Sequence, residues 1–389
     1  MKDETVAVVA GRDPASHYGA VNTPAYRSST ILFKTFAEFE AAEIDPARMK
    51  FAYGRLGTPS SAALEDAIAR LEGGAHCRLA PSGLAAIATA LLAFVSAGDH
   101  VLMTQGAYPP ARRFAESMLK RLGVETTWYD PLIGTGIAEL MRPNTKIVYV
   151  ESPSSGLFEV QDIPAIADAA HAHGAIVMMD NTWASPLFFK PFAHGVDVSI
   201  QAATKYIVGH SDAMLGAITC TEAGWHTLRG AHRELGQMAG PDDIYLALRG
   251  MRTLAVRLAT HHKNGIALAR YLKERREVER VNHPALEDDP GHAIWKRDFT
   301  GASGLFSVLL KPSVSKAALA AMLDGLRLFA MGYSWGGFES LAAPFKMSRY
   351  RPELGALEGW GVRIHAGLEN IDDLLEDLDA GFARLGAAL

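Results

Sequence analysis

The stretch "KIVYVESPSSGLFEVQDIPAIADAAHAHGAIVMMDN", residues 146–181, decides the fold. It begins with a short apolar run, continues through a segment with helical spacing, and ends in a second apolar run that carries no charge before Asp180. Short apolar runs on either side of a helix are typical of buried strands in a parallel sheet. The stretch therefore predicts a strand–helix–strand unit.

The same alternation continues on both sides of this unit. Further strands are predicted at 100–104, 124–130, 198–204 and 215–220, and further helices at 60–74, 81–99 and 108–123. A chain that alternates in this way usually forms one sheet with helices on both of its faces. We therefore expect an α/β fold with a mostly parallel sheet.

The two ends of the chain have a different pattern. Residues 1–57 are rich in Pro, Gly, Ser and Tyr with weak periodicity, and predict an extended N-terminal arm. After Asp242 the chain is mainly helical, and it then has predicted strands at 304–310, 326–331 and 361–368 before a final helix from Ile371. We expect three parts: an arm (1–57), a large sheet domain (58–245) and a smaller C-terminal α+β domain (246–389).

Composition excludes several classes of function. The 389 residues include 38 Lys and Arg against 43 Asp and Glu, a net charge of −5, whereas a nucleic-acid or anionic-membrane partner favours a basic surface. Cys77 and Cys220 form no CxxC pair and no H-E-x-x-H motif occurs, so we expect no metal site. The N-terminus has no apolar stretch typical of a signal peptide, and we expect a cytoplasmic protein without a membrane partner.

Two charged residues stand at the ends of predicted strands. Lys205 follows the strand "VSIQAAT", and Asp180 ends the strand "AIVMMD". In open α/β sheets, ligands bind outside the carboxyl ends of the strands. A shielded lysine there loses proton affinity and becomes a usable nucleophile, although a strand-end lysine can also simply extend into water. A buried carboxylate needs a facing cation, unless Asp180 merely caps the following turn.

Other motifs fit the same kind of site. In "APSGLAAIA" (80–88), Ser82 and Gly83 open a helix whose free N–H groups can hold a phosphate. Tyr108 follows a predicted strand and can cover a flat ring. If residues 53–60 are extended, Tyr53 and Arg55 point the same way and can clamp a phosphate. Together with a lysine for an aldehyde and an acid for a pyridinium nitrogen, these pieces are what pyridoxal phosphate chemistry requires.

Nearly the whole chain from about residue 50 resembles one family. The stretches "YGRLGTPS" (53–60), "LEGGAHCRLAPSGLAAI" (71–87) and "SIQAATKYIVGHSDAM" (199–214) are among the segments that carry the resemblance. They identify the chain as a member of the cysteine/methionine-metabolism family of pyridoxal-phosphate enzymes. The resemblance implies the aspartate-aminotransferase-like fold, known as fold type I, in which residues 58–245 would bind the cofactor.

The resemblance also implies roles for individual residues. Lys205 would bind the cofactor covalently and act in catalysis, Tyr108 would stack on the ring and assist, and Asp180 would pair with the pyridine nitrogen. The cofactor phosphate would be held by Ser82, Gly83, Leu84 and Thr204, and by Tyr53 and Arg55 of a neighbouring subunit. Arg363 would bind the substrate carboxylate, with Ser334 and Trp335 beside it. Shared sites imply a homo-oligomer, a dimer that doubles into a homotetramer.

Departures from the family pattern bear on the reaction. Ala202 stands where many relatives have serine, and Trp335 stands where γ-acting relatives often have leucine. The chain reads "ESPSSG" (151–156), whereas γ-acting relatives usually follow "ESP" with Ala-Asn-Pro. These features imply a carbon–sulfur β-lyase that acts on a small sulfur-containing amino acid and cleaves cystathionine to homocysteine, pyruvate and ammonia. A γ-lyase, a γ-synthase or another sulfur-amino-acid lyase is the alternative. Residues 341–353 also depart from the pattern, which bears on substrate range.

Two other classes stay open at this point. "GYSWG" (332–336) matches the G-x-S-x-G motif of serine hydrolases, with Ser334 as nucleophile and His365 as base. The chain between Ser334 and His365 offers only glutamates for the acid of the triad. A cofactor-binding regulator without turnover is the other alternative.

Overall fold

A seven-stranded sheet forms the centre of the larger part of the chain in the computed structural model, which describes residues 1–44, 51–346, 350 and 359–389. Part of the 341–353 stretch lies outside these residues. The strands are β1 (His76–Ala80), β2 (His100–Thr104), β3 (Glu125–Tyr129), β4 (Thr145–Glu151), β5 (Ile176–Asp180), β6 (Val198–Gln201) and β7 (Gly216–Cys220). They lie in the order β1-β7-β6-β5-β4-β2-β3, and β7 is antiparallel to both of its neighbours. The prediction of a mostly parallel sheet is confirmed.

Helices cover both faces of this sheet. The helices of the described chain are α1 (Asp3–Val9), α2 (Phe36–Ile44), α3 (Pro59–Glu72), α4 (Gly83–Phe94), α5 (Pro109–Phe114), α6 (Ile163–Ala172), α7 (Ser185–Phe188), α8 (Glu222–Glu234), α9 (Pro241–Met251), α10 (Leu254–Lys273), α11 (His292–Asp298), α12 (Lys316–Leu323) and α13 (Ile371–Ala387). Along β5, Met178 packs in the core that contains α4, whereas Val177 and Met179 pack in the core that contains α6. Because successive strand residues face opposite sides, both faces are buried.

A second, antiparallel sheet lies in the C-terminal part. Its strands β8 (Val278–Asn282), β9 (Leu305–Leu310), β10 (Leu341–Phe345) and β11 (Gly361–His365) lie in the order β10-β11-β9-β8. α12 and α13 pack on it around a separate apolar core. The long helix α10 links two apolar cores. Leu254 at its start lies in the core that also contains residues of α3 and α9, and Leu268 lies in the core of the small sheet. The three-part division of the chain stays a prediction.

The predicted strand at 326–331 is wrong. Only Ala330 makes a bridge, to Leu341. The buried carboxylate of Asp377 in α13 accepts hydrogen bonds from the backbone N–H groups of Arg327, Leu328 and Phe329, at 2.7–3.3 Å. These donors are satisfied by a side chain, so the apolar segment needs no sheet partner.

The N-terminal segment is not extended throughout. It contains α1 and α2, and α1 places Val6 and Ala7 in the apolar core beside α3. The strands β1, β8 and β10 had no counterpart among the predicted strands. Each carries a polar residue or a proline in its middle, such as Arg78 in β1 and Pro344 in β10, which hides the apolar pattern. Within the described ranges, no helix combines the length and apolar character needed to cross a membrane.

Candidate active site

The carboxyl ends of three neighbouring strands meet at one edge of the large sheet. Glu151 ends β4 and Asp180 ends β5, and the two residues are paired in register. Beyond β6 the chain turns, with a hydrogen bond of 2.9 Å from the Lys205 N–H to the Ala202 carbonyl. This turn brings Lys205 to the edge at which Asp180 ends its strand, as the sequence predicts.

Lys205 is held by a loop from the C-terminal part of the chain. Its Nζ donates a hydrogen bond to Ser334 Oγ at 2.7 Å and lies 5.3 Å from the centre of the Trp335 ring. Gly336 has a φ of +86°, and a Cβ there would come within 3.0 Å of the Lys205 Cα, so this tight contact needs glycine. The loop and the lysine therefore form one packed unit.

The surroundings of Lys205 shift its protonation equilibrium toward the neutral amine. Burial is the main cause that lowers its pKa from 10.5 to about 8, and the nearby Arg363 lowers it further, while Asp180 acts in the opposite direction. A pKa near 8 leaves a substantial fraction of the amine unprotonated close to neutral pH. The site thus supplies a nucleophilic amine.

One carboxylate oxygen of Asp180 caps the turn that follows β5, and the other accepts no hydrogen bond in the described chain. Its Oδ1 accepts hydrogen bonds from the N–H and the Oγ of Thr182, at 3.0 and 2.5 Å. Burial raises the pKa of Asp180, whereas the Thr182 bonds and the charge of Lys205 lower it. In the described chain no bond is made to Oδ2, so this buried carboxylate can still face a cation.

The start of α4, Ser82–Leu84, forms a concave helix N-terminus, called the α4 cup below, at the place where the sequence predicts phosphate binding. Ser82 caps the helix through a bond from the Ala85 N–H to its Oγ, at 3.1 Å, and the N–H groups of Gly83 and Leu84 have no acceptor inside the helix. A Cβ at Gly83 would lie 2.6 Å from the Ala202 Cβ, so glycine allows the cup to touch the turn that carries Lys205. The Thr204 hydroxyl is already bonded to the backbone of Leu215, as donor and as acceptor.

Tyr108 and Arg363 lie within electrostatic reach of each other at this edge. Tyr108 lies between β2 and α5 with 43% of its surface exposed, and burial followed by the charges of Asp180 and Glu151 raises its pKa. Arg363 in β11 donates to the carbonyls of Gly332 and Ser334, at 3.2 and 2.9 Å. Its strand neighbours Val362 and Ile364 lie in the apolar core on the other face of the small sheet.

Tyr53 and Arg55 do not join this group in the single chain. Tyr53 is extended, but Arg55 lies in a 3₁₀ turn, Gly54–Leu56, so the expectation of one extended segment is wrong. The chain turns at Gly54 because the Gly54 N–H donates a hydrogen bond to the Ser29 carbonyl. Arg55 donates to the Arg233 carbonyl at 2.9 Å. Their predicted role toward a neighbouring subunit stays a prediction.

The residues present fit pyridoxal phosphate. The cup at α4 offers N–H donors to a phosphate, Lys205 offers a neutral amine to an aldehyde, and the open Oδ2 of Asp180 offers a counter-charge to a ring nitrogen. Among the described residues, no cluster of three or more His, Cys, Asp or Glu is placed to bind a metal ion.

The structure does not assemble a serine-hydrolase triad. Ser334 Oγ accepts its hydrogen bond from Lys205, and His365 Nε2 accepts one from the Gly336 N–H at 3.1 Å. Burial lowers the pKa of His365 to about 3, so this ring is a poor base. His261 in α10 is fully buried, and its ring lies 5.1 Å from that of His365.

Sequence reasoning missed Glu151. It ends an apolar strand, just as Asp180 does, and it is equally buried. The same pattern that singled out Asp180 was present in "KIVYVE", so the strand-end rule applied to every strand would have found it.

The low pKa of Lys205 leads to a testable prediction. In protein from which any cofactor has been removed, about half of Lys205 is in the amine form at pH 8, against below about 1% for a lysine of ordinary pKa. We expect acylation of Lys205 by an amine reagent to rise with a midpoint near pH 8, measured by peptide mass spectrometry. The exposed Lys146 is the internal reference. Identical pH dependence at both lysines would contradict the prediction.

Comparison with known proteins defines the class. The family model of the Cys/Met metabolism PLP-dependent enzymes matches residues 4–383, and the chain belongs to this family. The predicted resemblance is confirmed, and with it the pyridoxal phosphate cofactor and the fold class.

Individual relatives cover the chain from end to end. The chain is 48% identical to cystathionine β-lyase MetC of Escherichia coli, over 99% of each chain. It is 47% identical to a putative cystathionine β-lyase of Rhizobium johnstonii, over 97% of this chain and 95% of that one. The solved structure of cystathionine γ-synthase from Xanthomonas oryzae pv. oryzae matches all of both chains at 33% identity with a TM-score of 0.92.

Proposed function

We propose that this chain is a carbon–sulfur β-lyase that cleaves cystathionine to homocysteine, pyruvate and ammonia. The observation that carries the proposal is the juxtaposition of the half-buried Lys205 amine with Asp180, at the strand ends of a fold whose relatives include several named cystathionine β-lyases. The cofactor, when bound, withdraws electrons from the substrate α-carbon. The chain's own residues supply binding, orientation and proton transfer.

Each residue has a distinct task in the proposed reaction. Lys205 would hold the cofactor, and its free Nζ would take the proton from the substrate α-carbon, for which a pKa near 8 is well matched to neutral pH. Ser334 positions this Nζ through the 2.7 Å hydrogen bond. Asp180 would supply the counter-charge for the ring nitrogen of the cofactor, and Tyr108 would cover the ring.

Phosphate binding is assigned to the α4 cup. Ser82, Gly83 and Leu84 offer the donors of a helix N-terminus, which attracts anions. Thr204 contributes only if its hydroxyl leaves the bond to the Leu215 carbonyl, so its part is to shape the turn beside Lys205.

Product analysis tests the proposal directly. We expect the purified holoenzyme to convert cystathionine to pyruvate and homocysteine, followed by mass spectrometry. Formation of 2-oxobutyrate and cysteine would instead identify γ-elimination. Absence of turnover on cystathionine, cystine, cysteine and methionine with the cofactor bound would favour a regulator and contradict the proposal.

Arg363 is expected to bind the substrate carboxylate. A guanidinium offers a carboxylate two parallel charge-assisted bonds, each worth about 1.5–3 kcal/mol. We expect Arg363→Ala to raise the KM for cystathionine about 10- to 100-fold, and Arg363→Lys to raise it less because one charge remains. Steady-state kinetics measures both, with Arg270→Ala, exposed on α10, as the control. An unchanged KM in Arg363→Ala would exclude this role.

A second copy of the chain is proposed to complete the site. Leu32 and Phe36 in the N-terminal segment are 87% and 75% exposed, and Arg55 and Tyr53 follow nearby in sequence. Exposed apolar side chains in such a segment favour a protein partner. We expect a dimer or tetramer in sedimentation analysis, and a monomeric, fully active enzyme would contradict the shared site.

We further propose a cytoplasmic location. Cys77 and Cys220 are buried thiols, as is usual in a reducing compartment. Cell fractionation tests this.

A further inference from the structure

A second buried carboxyl group lies next to Asp180 and has no part in the reaction proposed above. Glu151 and Asp180 are register partners at the ends of β4 and β5, and 8% of each residue is exposed. Register partners on adjacent parallel strands point to the same face of a sheet. Two acidic side chains therefore share one small, poorly solvated space, although a ring nitrogen needs only one counter-charge.

The surroundings of the two groups differ. Lys205 favours the charged form of Asp180, and Thr182 gives two hydrogen bonds to its Oδ1. For Glu151, the charged group with the largest influence is Asp180, which has the same sign. In the described chain, no Lys, Arg or His is ion-paired with Glu151. Like charges at the ends of adjacent strands in a buried site cannot both form cheaply, so one of the two groups retains a proton.

Burial and the charge of Asp180 raise the pKa of Glu151 well above its usual value, while the hydrogen bonds from Ser155 and Tyr108 act in the opposite direction. The Oε2 of Glu151 accepts a hydrogen bond from the Tyr108 N–H at 2.7 Å, and its Oε1 lies 2.7 Å from Ser155 Oγ. A protonated carboxyl group can satisfy both contacts, with its carbonyl oxygen as acceptor and its hydroxyl as donor. The loop that carries Ser155 is held in place independently by a bond from the Ser155 N–H to the Gly106 carbonyl, at 2.8 Å.

Resting on the proposed cofactor arrangement, we propose that Glu151 keeps its proton and donates a hydrogen bond to Ser155 Oγ, which leaves Asp180 as the sole anion of the pair. Glu151 is a positioning residue: through the Tyr108 N–H it fixes the residue that covers the ring. The other titratable and charged groups around the pair are Tyr149, Arg113, Lys205 and Arg363.

Infrared spectroscopy tests the protonation without measuring activity. A protonated carboxyl group gives a C=O stretching band that a carboxylate lacks. We expect the wild-type holoenzyme to show such a band from about pH 6 to about pH 9, where exposed carboxyls are ionised. Labelling with ¹³C-glutamate should shift this band, and Glu151→Gln should remove it. A band that shifts only with ¹³C-aspartate would assign the proton to Asp180 and overturn the proposal.

Two further variants make the assignment specific. Glu72 is another fully buried glutamate, whose pKa burial raises, so Glu72→Gln is the matched control and must leave the Glu151 band in place. Ser155→Ala removes the hydroxyl group that accepts the hydrogen bond from Glu151, while Glu151 itself is unchanged. It should shift the band without abolishing it, even if Glu151→Gln does not fold. No change in the band of Ser155→Ala would contradict the proposed donation.

Kinetics and cofactor binding separate this role from a purely structural one. Glutamine reproduces a neutral acid, since its carbonyl accepts and its amide donates, so Glu151→Gln should stay within about threefold of wild type in kcat and cofactor Kd. Glu151→Ala leaves the Tyr108 N–H unpaired and should lose about tenfold in kcat. A Glu151→Gln enzyme as impaired as Asp180→Asn, or a Glu151→Ala enzyme equal to wild type, would overturn the proposal. If the wild type shows the band but cleaves no sulfur amino acid, the proposed function fails and the protonation stands.

Discussion

Lys205→Ala is expected to abolish cystathionine cleavage while the protein still folds. The variant removes both the covalent attachment of the cofactor and the base at the substrate α-carbon. A positioned base alone contributes about 10²–10⁴-fold to a rate. We therefore expect pyruvate formation to fall by at least about 10³-fold, measured with a coupled dehydrogenase assay.

The controls for this variant separate charge from nucleophilicity. Lys205→Arg keeps a cation near Asp180, but a guanidinium stays protonated and cannot serve as nucleophile, so it should be as inactive as the alanine variant. Lys146→Ala, at an exposed lysine in β4, should retain full activity. Borohydride reduction of wild type should leave a pyridoxyl group on the peptide that contains Lys205. Near-normal turnover in Lys205→Ala would refute the assignment.

Asp180→Asn is expected to have the second-largest effect. The amide preserves shape and can still accept the hydrogen bonds from Thr182, but it removes the negative charge opposite the ring nitrogen. Loss of one partner from a buried charge pair costs about 3–5 kcal/mol. Cofactor affinity should therefore fall by about 10²- to 10³-fold, with a parallel fall in turnover.

Equilibrium titration of the cofactor, followed by absorbance, measures this loss. Asp168→Asn is the matched control, because it makes the same substitution at an exposed position in α6. Wild-type affinity and turnover in Asp180→Asn would rule out the pairing. The glutamine variant of Glu151 provides a second comparison, since it changes a neighbouring carboxyl without removing the proposed anion.

Sequence patterns predicted most of the sheet and the central pair of the candidate site. The strands that are buried on both faces read as apolar runs, and the charges at their ends stood out for that reason. β1 and β10 were missed because Arg78 and Pro344 interrupt the pattern. The segment 326–331 was mistaken for a strand because its apolar residues gave no indication that Asp377, about 50 positions later, binds its N–H groups.

The sequence by itself determined the alternation of strands and helices through most of the large sheet, the Ser-Gly helix start, and the family, because each depends on local spacing or on matched motifs. Tertiary structure alone decided that Ser334 and Gly336 pack against Lys205 from about 130 residues away, and that Glu151 stands beside Asp180. The physical reason is that proton affinity depends on burial and on neighbouring charge. Both are set by which distant segments share a space, and a linear pattern does not record that.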